Sequence, residues 1–503
     1  MRIVRKLMGM LLLAVLAQAA MASERSIDID DAVVTEHEVR IQGERVRYSA
    51  TTGTQPTWDE DGKPDATLFY TYYQRTDVRD QDERPLLISF NGGPGSASVW
   101  MHVAYTGPRV LKIDDEGYPV QPYGVRDNPY SVLDVADIVF VNPVNTGYSR
   151  VVPDEEGEKL SREAQQERFF GVNADIEYLA EWINTFVNRH ERWNSPKYLI
   201  GESYGTTRVA GLALELQNSQ WMYLNGVILV SPTDMGIDRD GPVKAANRLP
   251  YFAATAWYHE VLDDDLQERD LYELLPKVEE FTLNEYLPAL ARGAYLDEDK
   301  RQEIAEQVAR YSGLSIDSVL DSNLDIDTAF FWKDLLREEG RTVGRLDSRY
   351  LGIDRKRVGD RPDYWAELTA WLHAFTPAIN HYIRTELEYE TDIKYNMFGP
   401  VHPWDRQNNQ TGENLRQAMA QNPYLNVLFQ AGYYDGATNY FDAKYSMGQL
   451  DPSGEMKDRL AFKGYRSGHM MYLRYEDLRR SNEDLRQFIL DAIPEEGEPA
   501  RYD

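Results

Sequence analysis

Between residues 36 and 75 apolar and polar side chains alternate, in HEVRIQGERVRYSATTG and, beyond the turn DEDGK, in ATLFYTYYQRT. Period-two alternation broken by glycine-containing turns predicts antiparallel hairpin strands with one buried face. Five shorter, predominantly apolar runs follow: PLLISF (85–90), DIVFV (137–141), KYLI (197–200), GVILV (226–230) and NVLFQ (426–430). Such runs read as strands buried on both faces. Stretches of helical periodicity separate several of them, most clearly GVNADIEYLAEWINTFVNRH (171–190). Strands alternating with helices predict an α/β fold with a mostly parallel central sheet, the leading hairpins forming its antiparallel N-terminal edge. From 236 to 390 the pattern changes to charge-rich helix formers, as in DLQERDLYELLPKVEEF and DEDKRQEIAEQVARYSG, with no buried strand of comparable strength. A helical cap insertion is therefore expected at 236–390, dividing a core into residues 23–235 and 391–503.

The first residues carry a different signal. Arg2, Arg5 and Lys6 form a basic start, Leu7 to Ala17 is apolar, and Ala20-Met21-Ala22 gives a small-x-small pattern before Ser23. That order reads as a signal peptide over 1–22, cleaved near Ala22. The apolar run falls short of the roughly 20 residues that span a bilayer. The expectation is an exported chain, periplasmic or secreted, with no membrane attachment after cleavage. The formal net charge is −29, and loss of the basic leader makes the remainder more negative still. Such a surface repels nucleic acid and anionic lipid, which excludes both as main partners. There is no cysteine, which removes disulfides, thiol catalysis and cysteine-ligated metals together. The eight histidines are scattered and no His-Glu-x-x-His occurs, so neither a metal nor another cofactor is called for.

Candidate chemistry begins at Gly201-Glu202-Ser203-Tyr204-Gly205, between a buried strand and a helix. Gly-x-Ser-x-Gly in that setting is a nucleophile elbow, a turn so tight that its close neighbours must lack side chains. The following helix turns its positive end toward the site, and the Tyr204 N–H is placed to hold an oxyanion. The elbow orders its partners serine, acid, histidine. His469, in FKGYRSGHMMYL, is the histidine that follows the last strong strand. Asp435 comes directly after NVLFQAGYY, at the strand end where ligand groups of an open α/β sheet gather; Asp442 is the alternative acid. The second half of an oxyanion hole is expected from the glycine-rich loop in LLISFNGGPGSAS, whose glycines let backbone approach a substrate. That loop lacks the Lys-Ser/Thr ending of a phosphate loop.

In order along the chain, NGGPGSAS, NPVNTGYS (142–149), GESYG, GYYDGATN (432–439) and GHM (468–470) resemble the motif blocks of serine carboxypeptidases. The resemblance spans roughly 70–235 and 395–492. It implies an α/β-hydrolase fold and release of single residues from peptide C-termini, peptides being the partner. Carried over position by position, Ser203 matches the nucleophile, His469 the base and Asp435 the acid, while the N–H groups of Gly93 and Tyr204 match the oxyanion hole. Asn91 and Glu202 match groups that hold the substrate's terminal carboxylate. Where family members commonly carry a second glutamate paired with the first, this chain has Tyr105, whose phenol can donate to a carboxylate but shares no proton with Glu202. A protonated Glu202 would hold a peptide carboxylate best at mildly acidic pH. Some plant relatives are acyltransferases, so an esterase or acyltransferase with the same triad is the alternative activity, and a non-catalytic binding protein on the same scaffold is a third. Trp257, Tyr258 and Trp332 in the cap are candidates either for an apolar specificity pocket or for core.

Overall fold

The computed structural model describes residues 27–495 apart from 82, 154–156 and 159, together with 497, 499, 501 and 502. The expected signal peptide lies outside the described residues. Three long strands come first: β1 (Ala32–Ile41), β2 (Glu44–Trp58) and β3 (Pro64–Arg75). The strands β4 (Leu86–Phe90), β5 (Asp137–Val141), β6 (Lys197–Glu202), β7 (Gly226–Val230), β8 (Asn426–Gly432) and β9 (Leu460–Tyr465) follow. Their order in one ten-stranded sheet is β1-β2-β3-β5-β4-β6-β7-β8-β9, with a two-residue strand at Arg150–Val151 on β3. The β1–β2, β2–β3 and β3–β5 pairs are antiparallel. From β5 onward every pair is parallel.

Successive side chains of a strand point to opposite faces, and both faces of the parallel part are covered. Ile88, Val139, Leu199, Val227 and Phe429 enter one core with Leu179, Leu212 and Leu415. Those last three come from helices α1 (Val172–Arg189), α2 (Tyr204–Ser219) and α7 (Thr411–Gln421). Leu87, Ile138, Ile200, Ile228 and Leu428 enter the opposite core with Phe375, Ile379 and Leu485. These belong to α6 (Ala366–Thr385) and α8 (Tyr475–Asp491). Two-sided burial explains why the central strands read as apolar throughout whereas β1 and β2 alternate.

Residues 236–390 divide their contacts. Helices α3 (Leu249–Tyr258), α4 (Leu271–Phe281) and α5 (Glu298–Ser312) form a third cluster of their own, around Leu249, Phe252, Leu274, Val278, Ile304, Val308 and Phe331. Helix α6 instead lays Trp371, Phe375 and Ile379 against the sheet. The register sets the ends of the parallel strands level: Phe90 lies beside Gly201, Val230 beside Glu202, and Val230 beside Gln430. The loops after β4, β6, β8 and β9 therefore open on one rim.

Candidate active site

At that rim the chain turns at Ser203 with φ 58° and ψ −128°. An L-residue adopts this conformation only under constraint, and the constraint is visible. A Cβ on Gly201 would lie 2.1 Å from the Gly205 carbonyl oxygen, and one on Gly205 would lie 2.6 Å from the Phe90 carbonyl oxygen. Two glycines thus let strand, turn and helix pack closer than side chains permit. The Ser203 N–H donates to the Val230 carbonyl at 2.9 Å, while its own carbonyl accepts from Thr206 Oγ1 at 2.6 Å and Thr233 Oγ1 at 3.2 Å. The bend is held on both sides, leaving the hydroxyl to face a cavity of about 200 Å³.

His469 lines the same cavity. Its Nδ1 lies 2.7 Å from Asp435 Oδ2. The loop after β8 fixes that carboxylate: Oδ1 accepts from the N–H groups of Ala437 (2.8 Å) and Thr438 (3.1 Å), and Oδ2 from Thr438 Oγ1 (2.6 Å). Asp435 is fully buried. Burial alone depresses the imidazole pKa, but the charge and hydrogen bond of Asp435, with Glu202 beyond, outweigh it and hold His469 above its ordinary value. Asp442, the alternative acid, is turned elsewhere, accepting from Asn247 and Asn439 Nδ2 at 2.9 and 2.7 Å. Among the described residues no hydrogen bond ties Ser203 Oγ to the imidazole; the two groups meet across the cavity.

The glycine-rich loop after β4 forms the facing wall. A Cβ on Gly92 would lie 2.4 Å from the Tyr204 amide nitrogen, and Gly93 has φ 105°. Both glycines line the cavity together with Ser203. A buried cation braces this loop from behind. Arg208 Nη1 donates to the Asn91 carbonyl at 2.7 Å, and Nε to Asp175 Oδ2 at 2.6 Å, both side chains being fully enclosed.

Glu202 lies beside the serine at 3% exposure. Its Oε1 accepts from Asn91 Nδ2 at 2.9 Å, and its Oε2 from the Tyr472 hydroxyl. Burial pushes its pKa up to about 7, with Asp435 adding to the rise and His469, Tyr472 and Asn91 opposing it. Asn91 is itself fully buried; one N–H of its amide donates to Glu202, and its Oδ1 accepts from the Met101 N–H at 3.1 Å.

One expectation requires correction. Tyr105 does not face the cavity: its hydroxyl donates to Gln430 Oε1 at 2.7 Å, and its ring stacks on Tyr472 with centroids 4.7 Å apart. It sits one ring behind the site, and Tyr472 supplies the hydroxyl that reaches Glu202. Of the two readings left open for Trp257, Tyr258 and Trp332, the structure favours packing: none is among the side chains that line the cavity. Trp332 is core, donating from its indole to the Tyr251 hydroxyl at 2.8 Å, and Trp257 donates to the Arg269 carbonyl at 3.0 Å. Tyr258 packs on Tyr434. The apolar wall is Trp100, Leu346, Leu368, Trp371, Phe398 and Met470.

A sequence model of serine carboxypeptidases matches residues 57–463. The chain belongs to the serine carboxypeptidase family. Two similar proteins of Arabidopsis thaliana are Serine carboxypeptidase-like 36, 25% identical over 175 residues (34% of this chain, 33% of that one), and Serine carboxypeptidase-like 2, 26% identical over 210 residues (40% and 42%). The chain thus spans 33% and 42% of these relatives' lengths. Among solved structures, the Saccharomyces cerevisiae prohormone-processing carboxypeptidase Kex1(delta)p superposes with a TM-score of 0.53 at 14% identity, covering 88% of this chain and 92% of that one. The fold is that of the α/β-hydrolases.

In this serine carboxypeptidase family member, four site features have no local signature in the sequence. They are Thr438 beneath the acid, Tyr472 on Glu202, the Arg208–Asp175 pair under the glycine loop, and Arg345 on the cavity wall. Thr438 comes from the same loop as Asp435, three residues on, whereas the other three are brought in by packing between distant segments. Among the described residues no cluster of three His, Cys, Asp or Glu side chains is arranged to hold a metal, and no helix is long and apolar enough to cross a membrane.

Proposed function

We propose that the chain is a serine-type carboxypeptidase that removes single residues from peptide C-termini through an acyl-enzyme. The observation that carries this reading is the buried Asp435–His469 bond at 2.7 Å, opening on the cavity that Ser203 and Glu202 share. In the proposed cycle Ser203 Oγ attacks the last peptide carbonyl and His469 Nε2 takes its proton. Asp435 fixes the ring's orientation and stabilises the imidazolium. The tetrahedral oxyanion lies between the N–H groups of Gly93 and Tyr204. Collapse expels the terminal amino acid, its amine taking the proton back from His469. Water, deprotonated by the same base, then releases the shortened peptide. Glu202, held by Asn91 and Tyr472, donates to the leaving residue's carboxylate when protonated. Binding then strengthens as pH falls below about 7, while protonation of His469 limits the chemical step from the acid side, which gives a mildly acidic working range.

The test is mass spectrometry of a mixed peptide pool at several pH values, with fluorophosphonate labelling of Ser203. Stepwise loss of C-terminal residues supports the reading; labelling with no peptide trimming refutes it. A second reading, an esterase or acyltransferase on the same triad, draws support from the turning of Tyr105 away from the cavity. Among the described residues Glu202 is the one carboxyl group lining it. Rates on blocked dipeptides against their esters separate the two. We further propose export with cleavage near Ala22, checked by N-terminal sequencing of the secreted or periplasmic protein. We read 236–390 as an insertion whose α3, α4 and α5 roof the core, a reading supported by their separate apolar cluster, while its helix α6 packs on the sheet.

A further inference from the structure

Among the described residues one Lys or Arg side chain lines the cavity. Arg345 stands on its wall with Ser203, His469 and Glu202, in a chain of net charge −29. Among the described residues its guanidinium has neither an ion pair nor a hydrogen bond, although those of Arg84, Arg192, Arg208 and Arg349 are all paired with aspartates. Its contact is with the face of Trp365, 5.7 Å from the ring centroid. Trp365 meets Trp332 edge-on at 5.3 Å. Stacking of this kind orients a guanidinium while leaving its N–H edge open to a ligand.

The backbone that carries Arg345 is tied to the catalytic loops. Its carbonyl accepts from the Gly436 N–H at 3.0 Å, next to Asp435, and the adjacent Leu346 carbonyl accepts from the His469 N–H at 2.6 Å. The Leu346 N–H donates to Glu367 Oε1 at 2.8 Å. Glu367 also feels the charge of Arg345, yet burial pushes its pKa up to about 7. The backbone N–H from Leu346, not the guanidinium, holds its carboxyl group. The charge of Arg345 also acts on His469, opposing the pull of Asp435. An open, aromatic-braced cation at fixed distance from the triad is built for an anion that enters with the substrate.

We propose that Arg345 is the specificity-determining cation that binds a carboxylate on the leaving residue. This rests on the carboxypeptidase reading of the same cavity. Of Asn91, Tyr105 and Glu202, only Glu202 is among the side chains lining the cavity, and Arg345 supplies the charge that Glu202 lacks. Two sources offer the same chemistry: the α-carboxylate of every peptide, and the side chain of a terminal Asp or Glu.

The experiment uses blocked dipeptides ending in Leu, Gln or Glu, each as the free acid and as the C-terminal amide, with the full-length wild type, Arg345→Gln and Arg345→Lys. Arg345→Gln is expected to lower kcat/KM on free acids about ten- to a hundred-fold, mostly in KM, with partial rescue in Arg345→Lys. The amides of Leu and Gln change less than about two-fold. Equal losses for Leu, Gln and Glu assign the α-carboxylate; a loss confined to the Glu peptides, amide included, assigns the side chain. An unchanged KM on every acid, or equal losses on acids and neutral amides, overturns the proposal, the latter marking a loop-positioning role. Failure of wild type on all peptides would sink the carboxypeptidase reading instead. Acetate esters of 4-hydroxybenzoate and 4-hydroxybenzamide then test Arg345 independently: loss of a wild-type preference for the carboxylated leaving group in Arg345→Gln supports it, and no such preference refutes it.

Discussion

Replacing Glu202 with glutamine tests the carboxylate-recognition chemistry most directly. Glu202 is buried among Asn91, Tyr472, His469 and Asp435, and its pKa stands at about 7 instead of the ordinary 4.5. If the protonated carboxyl group is the form that donates to the peptide's carboxylate, nearly all of the enzyme is competent at pH 5 and only about a tenth at pH 8, given one proton and that midpoint. KM for a blocked dipeptide should then rise about ten-fold between pH 5 and pH 8. By the same relation a surface glutamate at 4.5 would already be mostly ionised at pH 5, and KM would climb about ten-fold per pH unit from there to pH 8. The side-chain amide of the Glu202→Gln variant keeps a donor at every pH, so its KM should stay flat to within about two-fold. Because His469 protonation would change kcat at low pH, the assay is the inhibition constant of the released free amino acid, which carries the carboxylate assigned to Glu202 and reports binding without chemistry. Stability supplies an independent check on the same pKa. A carboxyl group whose folded value is raised adds stability below its unfolded value, and that stability is lost as pH rises through the folded one. The span from 4.5 to about 7 corresponds to about 3 kcal/mol at most. Glu202→Gln should therefore melt like wild type near pH 4 and higher than wild type at pH 8. An unaltered pH dependence of the inhibition constant in the variant would refute the role of Glu202.

Four other outcomes follow from the geometry. Ser203→Ala should abolish fluorophosphonate labelling and lower kcat by about 10⁴-fold or more, read from peptide release, with the fold intact by circular dichroism. Tyr472→Phe removes a donor from the ionised Glu202, so the KM rise should move to higher pH, whereas Tyr105→Phe should leave the KM profile in place; a shift in the second and not the first would reverse the roles given to the two tyrosines. Thr438→Val takes one hydrogen bond from Asp435 and should cost about 1–2 kcal/mol in kcat/KM with little change in KM, measured on a single dipeptide. Asp175→Asn leaves Arg208 as an uncompensated buried charge under the glycine loop and should destabilise the protein by about 3–5 kcal/mol in denaturant melts, which Arg208→Met in the same background should partly restore.

What the sequence determined by itself is local. The strand–Gly-x-Ser-x-Gly–helix order is a short-range steric device, and the backbone at Ser203 adopts the strained turn those glycines predict. The apolar runs at 86–90, 137–141, 197–202, 226–230 and 426–432 are strands because no other element hides both faces of so short a segment. Asp435 and His469 were reachable from chain order, since each follows a strand closely. Tertiary structure decided everything that joins distant segments. Asp435 and Asp442 lie seven positions apart in the chain, and only the fold turns one toward His469 and the other toward Asn247. The family resemblance assigns Tyr105 to the site, yet packing against Tyr472 swings its hydroxyl to Gln430. Helix α6 carries the same periodicity as the cap helices before it, but its apolar stripe covers the sheet. Arg345 has no motif at all; its meaning comes from Trp365 beneath it and the loops of Gly436 and His469 to which its backbone is bonded. Short-range sterics are written in neighbouring residues, whereas a side chain's direction and partners depend on which surfaces the whole chain buries together.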